Sequence, residues 1–553
     1  MSNTIDHDVT VASKSESADA SWLRLKAILL PATVFFFAAL VPIWFSFEHR
    51  IPTIDESGHI LNAFTYADLF RHPRLLRGEW WHQFLTVNSF YPPFAHMTNG
   101  LFKAIFGSSR AVDIAVLTLF NAALTLSTYG ITKHLTRSYT AAVLSAVIIN
   151  LYPELALLNR AYWLDFPLTA MVGVGLFALF HFRANPTWKR ALFAGICLGA
   201  ACMTKQIAVA YLILPAAIVF FERVAGSSKS YTDAVKLAVA GLLTGALSAP
   251  WFVLNAAKAR LMADDCAVHI THTQSFTGNL LHYAQVLPAT MSPILMVVFL
   301  VGLCAARNIV FRQLYPLLFS AVGGVVAVST LGWILPKPQY IAPALITSAV
   351  VSGCFLGLLF ESRNMWMKRC GWLLLVTATL QIVSLEFAPY PISSPQWISN
   401  FGRATGNTIS EPRLGITFVN PRPDVDWGQY WSMKEIEKVD AGRKVYLNIL
   451  SNSPDLNVHT FELIAHDLNS LVVPTTSRSY TIGGDKVHFS PAEALYYQWY
   501  LVQSENRYQG FVDESSKKAF EQLIHFVESG DRFTRVGTHQ LPDGSTLSLY
   551  RQK

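Results

Sequence analysis

Charge is scarce in this chain. Asp, Glu, Lys and Arg make up only 14% of its 553 residues, against 52% hydrophobic and 13% aromatic, and the mean hydropathy is +0.33. Soluble domains carry far more charge than this, so a chain that is soluble throughout is excluded. Cysteine is scarce as well. The six present, Cys197, Cys202, Cys266, Cys304, Cys354 and Cys370, lie mostly inside apolar runs without paired spacing, which excludes a disulfide framework or a thiolate metal site. A phosphate-cradling glycine loop and a dinucleotide fingerprint are both missing. The formal net charge of +7 does not point to nucleic acid, because much of the Lys and Arg falls in short loops between apolar runs.

Long apolar runs are what the chain has in abundance. The first, at 25–47, is too long for a signal-peptide core and lacks a small-residue cleavage site, so it reads as an uncleaved span. Others lie near 111–132, 139–158, 163–182, 189–204, 206–221, 234–255, 285–306, 314–335, 340–360 and 371–388. The length criterion gives about eleven spans, a polytopic α-helical membrane protein. Residues 1–22 are polar and rich in Ser and Asp, a disordered cytoplasmic tail. The membrane domain runs over 23–389, and 390–553 has the composition of a soluble domain. Within that domain, strands are expected at 444–450, 470–474 and 496–502, helices at 458–468 and 516–528, and a hairpin around Asp543-Gly544, an α/β pattern.

Counting Lys and Arg in alternate loops sets the orientation. One set holds Lys133 and Arg137, then Arg183, Lys189 and Arg190, then Arg223, Lys229 and Lys236, then Arg307 and Arg312, then Arg363, Lys368 and Arg369. The short loops of the other set hold Arg160, Lys205 and Lys337 alone. By the positive-inside rule the first set and the N-terminus are cytoplasmic and the C-terminal domain is extracytoplasmic. The loop 48–110 is richer in Arg than this rule wants, at a length where the rule weakens. Asp55, Asp165, Lys205 and Lys337 then share one face, each at the mouth of a different pair of spans. They either line one cavity or sit on unrelated rims.

The loop 48–110 opens with Ile51-Pro52-Thr53-Ile54-Asp55-Glu56-Ser57-Gly58-His59, a carboxylate pair just beyond the first span. Acidic groups close to a bilayer are unfavourable unless solvated, paired or used, so Asp55 and Glu56 are site candidates. The plainer reading has Asp55 capping a surface helix with Glu56 in its first turn. Ile60, Leu61, Phe64, Ala67 and Leu69 form a helical stripe through 56–71, consistent with a helix lying in the interface. Trp80-Trp81, Ser89-Phe90-Tyr91-Pro92-Pro93-Phe94-Ala95-His96 and the apolar stretch 101–107 follow, and together can enclose the region beneath. Asp264, Asp265, Cys266, His269 and His272 invite a metal reading, but their spacing matches no zinc pattern and the loop is polar enough to leave them solvated. No metal is assigned to them.

The carboxylate pair after the first span, the interfacial loop with Pro92-Pro93-Phe94 ending in Phe106-Gly107, Arg160-Ala161-Tyr162-Trp163-Leu164-Asp165 opening a span, Met203-Thr204-Lys205 at a short turn, and Pro336-Lys337-Pro338-Gln339-Tyr340 opening another are informative as a set. In order and spacing they resemble the polyprenyl-phosphate-dependent glycosyltransferases of the GT-C class, in the branch of protein O-mannosyltransferases and the aminoarabinose transferases of lipid A. The likeness covers 25–390. Gln206 after Lys205, where many relatives have Gly, and Gln339 before Tyr340, where a basic or polar residue is frequent, depart from the pattern and leave the sugar open.

The resemblance implies an integral enzyme of a bacterial inner or plasma membrane. It would move a monosaccharide from a polyprenyl-phosphate carrier to an extracytoplasmic glycan, lipid or protein acceptor among membrane lipids, with no required cofactor. The missing glycine loop argues against a nucleotide-sugar donor. Such chemistry needs a base for the acceptor and positive charge for the departing phosphate. Asp55 is the candidate base, in a displacement that inverts the anomeric centre. Glu56 orients it, or is a solvated helix-start residue. Asp165 is the third carboxylate of the site, its plainer role being a partner for the helix dipole. Lys205 and Lys337 are the phosphate candidates, with Arg160 and Tyr340 behind them; snorkelling to headgroups is the plain reading of the lysines. His59, Tyr91 and His96 are loop candidates, the histidines otherwise being interfacial hydrogen-bonders. A lipid or polysaccharide transporter is the alternative, but it would place charge near the midplane and show repeated halves, and neither is read here.

Overall fold

The computed structural model describes residues 28–226, 230–269, 275–305, 307–331, 336–387, 426–451, 455–476, 489–505 and 514–553. Helix α1 (Ile28–Phe45) leads into a loop of three helices, α2 (Ile54–Arg71), α3 (Gly78–Thr86) and α4 (Phe94–Phe106). The stripe read at 56–71 is α2, and Trp80 and Phe84 of α3 are buried against its Tyr66 and Leu69. Then follow α5 (Arg110–Thr136), α6 (Tyr139–Ile148), the short α7 (Pro153–Leu158), α8 (Asp165–Ala184), α9 (Trp188–Cys202), α10 (Ala208–Val224) and α11 (Tyr231–His269). The last membrane elements are α12 (Phe276–Met291), α13 (Pro293–Ala305), α14 (Arg307–Gln313), α15 (Tyr315–Ser329), α16 (Leu345–Glu361) and α17 (Met365–Phe387).

Six helices among the described residues are long and apolar enough to cross a membrane, within 28–45, 110–136, 165–184, 231–261, 338–361 and 365–387. Counting α12 and α13, bent by 110° at Ser292, as one span gives seven. Several of the eleven expected runs form shorter helices than these. Trp188–Cys202 has 15 residues and Ala208–Val224 has 17, at about 1.5 Å per residue. The break between these two is the junction that carries Lys205. The core of the bundle is apolar and close-packed: Gly353 lets α16 approach α6 so nearly that a Cβ there would lie 2.7 Å from the Ser145 nitrogen and 2.8 Å from the Ala141 carbonyl oxygen.

The C-terminal α/β domain carries β1 (Val445–Leu450), β2 (Val472–Thr475), β3 (Trp499–Gln503), β4 (Phe533–Gln540) and β5 (Thr546–Gln552), in the order β2-β1-β3-β5-β4. The first three strands are parallel, and β5 and β4 add antiparallel at one edge. Helices α18 (Gln429–Val439), α19 (Val458–Asp467), α20 (Pro491–Ala494) and α21 (Glu514–Glu528) accompany it. The hairpin expected at Asp543-Gly544 joins β4 to β5, with Gly544 at φ +85°, where a side chain would be strained. Its first strand, β4, alternates polar residues and was not read from the sequence.

Helix α19 docks on α2. The His466 ring stacks on Phe64 at 3.7 Å, and Leu463 joins a buried cluster with Val41, Ile60, Phe64, Leu117 and Tyr162. On its other side Phe64 faces the Lys103 ammonium at 4.4 Å, itself buried and paired with Asp113 at 2.9 Å. The helix that begins beside Asp55 is thus held between the bundle and the C-terminal domain.

Candidate active site

The first turn of α2 separates its two carboxylates. Thr53, not Asp55, occupies the N-cap position, and Glu56 is turned inward. Its Oε2 accepts from the Thr53 nitrogen at 3.0 Å, the Thr53 hydroxyl at 2.9 Å and Arg50 Nη2 at 3.0 Å, while Oε1 accepts from the Tyr162 nitrogen at 3.1 Å. Buried and fully engaged, Glu56 ties the start of α2 to the segment preceding α8. Asp55 is exposed and makes no hydrogen bond or ion pair among the described residues. A carboxylate in that state has its lone pairs available.

Asp165 and Lys205 form the most compact polar contact nearby. Lys205 Nζ donates to Asp165 Oδ1 at 2.6 Å, and Gln339 Nε2 donates to Oδ2 at 3.2 Å. The side chains of the pair are 3% and 6% exposed, so the charges are shielded from competing water. Two tyrosine rings flank the ammonium, Tyr91 at 5.4 Å and Tyr340 at 5.2 Å from ring centre to Nζ. Tyr91 in turn packs against His59 of α2, ring centre to ring centre 5.5 Å. Residues from α2, the 88–94 segment, α8, the α9–α10 turn and the start of the last apolar run therefore converge. Glu154, buried at the start of α7, lies near Asp165 and was missed because it stands inside an apolar run.

Local hydrogen bonds explain the convergence. The Met203 carbonyl accepts from the Phe94 nitrogen at 2.8 Å and Gln206 Nε2 donates to the Phe90 carbonyl, which pins the paired prolines against the Lys205 turn. From α11, Trp251 Nε1 donates to the Asn88 carbonyl at 3.1 Å and Asn255 Nδ2 to the Leu85 carbonyl at 3.0 Å. Tyr211 Oη donates to the Tyr340 carbonyl at 2.7 Å. Each bond joins segments far apart in the chain, so no local pattern foretold it.

His59 sits one turn beyond Asp55. Its Nδ1 meets His96 Nε2 at 3.1 Å, and its ring packs edge-on to Tyr91 at 5.5 Å. Both histidines are buried. Burial first, then the charges of His96, Lys205 and His459, holds His59 well below the usual imidazole range, and burial alone pushes His96 down to about 3. Both are neutral at pH 7, one donating to the other. His459 of α19 stands next to this pair, its ring 3.7 Å from where a Cβ on Gly58 would lie, and it bonds Glu462 at 3.0 Å.

Two cations remain. Arg160 is buried against Glu386 at 2.8 Å and over the Trp44 ring, in a cluster with α1 and α17. Lys337 is exposed, without an ion pair among the described residues. Asp264, Asp265, Cys266 and His269 fall in the last turns of α11, where the structure describes the helix but not their side chains, and His272 lies outside the described residues. Among those described, no cluster of three His, Cys, Asp or Glu could hold a metal ion.

Comparison with known proteins bears on this arrangement. Residues 71–258 match the family described as dolichyl-phosphate-mannose-protein mannosyltransferase. No curated protein matches the chain by sequence. Among solved structures, ArnT from Cupriavidus metallidurans bound to undecaprenyl phosphate superposes with a TM-score of 0.53 at 12% identity, over 93% of this chain and 97% of that one. Its apo form gives 0.52 at 13%, over 96% and 98%. The mycobacterial arabinofuranosyltransferase AftD gives 0.50 at 12%, over 96% of this chain and 40% of its own. The GT-C fold expected from the residue pattern is therefore the fold of this integral membrane protein, C-terminal domain included.

Proposed function

We propose that this GT-C protein is a glycosyltransferase that takes a monosaccharide from a polyprenyl-phosphate carrier and passes it to an acceptor on the extracytoplasmic face of a bacterial membrane. The observation that supports the reading is the surrounding of Lys205: its ammonium pairs with Asp165 at 2.6 Å between the Tyr91 and Tyr340 rings, and Tyr91 packs on His59, one turn beyond the exposed Asp55.

In the reaction, the Asp55 carboxylate takes the proton from an acceptor hydroxyl as its oxygen bonds to the anomeric carbon. The bond from that carbon to the carrier phosphate breaks, and the electron pair leaves with the phosphate. One displacement inverts the anomeric centre, and no second carboxylate is needed as a covalent nucleophile. Lys205 spends one of its three N–H donors on Asp165, which fixes the ammonium in place, and has two left for the phosphate oxygens as their charge grows. Tyr340 offers its hydroxyl to the same oxygens, and Lys337, whose carbonyl accepts from the Tyr340 nitrogen at 3.0 Å and whose ammonium has no ion pair among the described residues, is the second cation. Asp165 orients Lys205; Gln339 holds the other oxygen of Asp165. The neutral His59–His96 pair shapes the wall beside Tyr91 without adding a charge. Glu56 and Arg160 take part only by holding the chain.

Purified protein assayed with a panel of polyprenyl-phosphate sugars tests this reading. Wild type should release free polyprenyl phosphate with at least one donor, and Asp55→Asn should not. Equal turnover by the two removes Asp55 as the base, and no transfer from any lipid donor refutes the reading as a whole.

A further inference from the structure

Helix α4 is built inside out. The residues it buries include the polar His96, Asn99 and Lys103, while Leu101, Ile105 and Phe106 are exposed on the opposite face, the last two by 64% and 67%. A surface helix in water shows the reverse pattern, so the medium outside α4 is hydrocarbon. Its 13 residues span about 20 Å, too short to cross a bilayer, and only Gly107, Ser108 and Ser109 separate it from the span α5. Helix α4 therefore lies in the interface with that face toward the acyl chains.

Helix α2 rests on α4 almost backbone to backbone: a Cβ on Gly100 would lie 2.9 Å from the Ala63 carbonyl oxygen and 3.0 Å from the Ala67 nitrogen. At the end of α2 away from Asp55, Arg71 Nη2 donates to the Lys103 carbonyl at 2.9 Å, beside the exposed end of α4. The α2–α3 turn that follows is thereby held at the depth of the interface. Its tip is Leu75-Leu76, with Leu76 fully exposed. The Arg77 nitrogen donates to the Arg74 carbonyl at 2.9 Å, and Trp81 Nε1 donates to the Leu75 carbonyl at 2.8 Å while its ring stays exposed. Leucines between arginines and beside a tryptophan suit a boundary where apolar tips enter the acyl layer and polar ends stay among headgroups.

The positive charge at this tip is not used up locally. Asp68 is taken by Arg71 at 3.3 Å, and Glu79 stands in the first turn of α3, where free N–H groups offset it. Arg74 and Arg77 are exposed and have no ion pair among the described residues. An anionic headgroup layer gives them partners, and accounts for the arginines that the positive-inside count left over in the loop 48–110.

We infer that the α2–α3 turn docks into the bilayer leaflet on the side of the candidate site, with Leu75 and Leu76 among the acyl chains and Arg74 and Arg77 on the phosphates of anionic phospholipids. The docking needs neither a sugar carrier nor transfer, so it stands apart from the proposed chemistry.

The test places a fluorophore on Leu76→Cys of the full-length protein, in a background where Cys266, Cys304 and Cys370 are changed to Ser. The protein is held in nanodiscs of equal parts phosphatidylglycerol and phosphatidylcholine, with a nitroxide quencher on the acyl chain of one lipid or the other. Both lipids should quench the probe, phosphatidylglycerol more, by roughly fivefold for each arginine engaged. Arg74→Gln together with Arg77→Gln should erase that preference, with or without loss of the quenching itself. All three substituted side chains at the turn are exposed, so these changes leave the fold intact. Absence of quenching by either lipid, equal quenching by both in the unsubstituted turn, or a preference that survives loss of both arginines overturns the proposal.

Discussion

Removing the Lys205 ammonium isolates the charge at the centre of the candidate site. In Lys205→Met, Asp165 keeps a carboxylate that is 3% exposed and loses a partner 2.6 Å away. Taking one member from a buried ion pair costs roughly 3–5 kcal/mol, because the other charge is left without compensation. Gln339 still donates to Oδ2 at 3.2 Å, so the lower end, about 3 kcal/mol, is expected. Fluorescence-detected size exclusion after heating should then show a melting temperature lowered by about 2–3 °C, from an unfolding entropy of about 2.1 cal/mol/K per residue over the 553 residues. The double variant Lys205→Met, Asp165→Leu removes both charges and should recover most of that loss, since an apolar pair of similar size is often as stable as the ion pair it replaces. Losses that simply add in the double variant would refute the pairing argument. The same protein separates structure from function: restored in stability but without the ammonium, it should not retain undecaprenyl phosphate. Retention at the wild-type level would make Lys205 a structural residue only.

Asp55→Asn should lower transfer by roughly 10²–10⁴-fold, the usual worth of a general base, with carrier binding and melting temperature unchanged. Acid should destabilise the fold through the histidine pair. His96 has a folded-state value of about 3, below the ordinary 6.5, so the unfolded chain binds more protons between these limits. Stability is therefore fully present above pH 6.5 and falls as the pH drops toward 3, by about 1.4 kcal/mol per pH unit for each such group. Unfolding followed by tryptophan fluorescence at pH 7.5 and 5.5 should show this loss in wild type and a smaller one in His96→Gln. Glu56→Gln should cost about 1–3 kcal/mol, since the new amide nitrogen would face donors where the carboxylate accepted four bonds. Gly353→Ala should cost about 1–3 kcal/mol by forcing α16 away from α6, read as a lowered melting temperature without change in carrier binding at the residual folded protein.

Composition and periodicity by themselves determined that this is a helical membrane protein with a separate α/β domain at its C-terminal end. Burial in a bilayer demands apolar length, and a small sheet demands short apolar strands between turns, so both leave marks in local sequence. Asp55, Asp165 and Lys205 were legible as candidates for a related reason: charge beside long apolar runs stands out. Span number was less legible, since apolar runs in a close-packed bundle read alike at different helix lengths, and Trp188–Cys202 and Ala208–Val224 are shorter than the six helices long enough to cross a membrane among the described residues. What only the tertiary structure decided was which charges are used up and which are left. Glu56 and Asp55 are adjacent in sequence and equal in chemistry, yet the first is consumed by Arg50, Thr53 and Tyr162, and the second is open. Arg160 looked like Lys205 until Glu386, 226 residues away, claimed it. Pairing of this kind is set by three-dimensional neighbours, and separation along the chain carries almost no information about it.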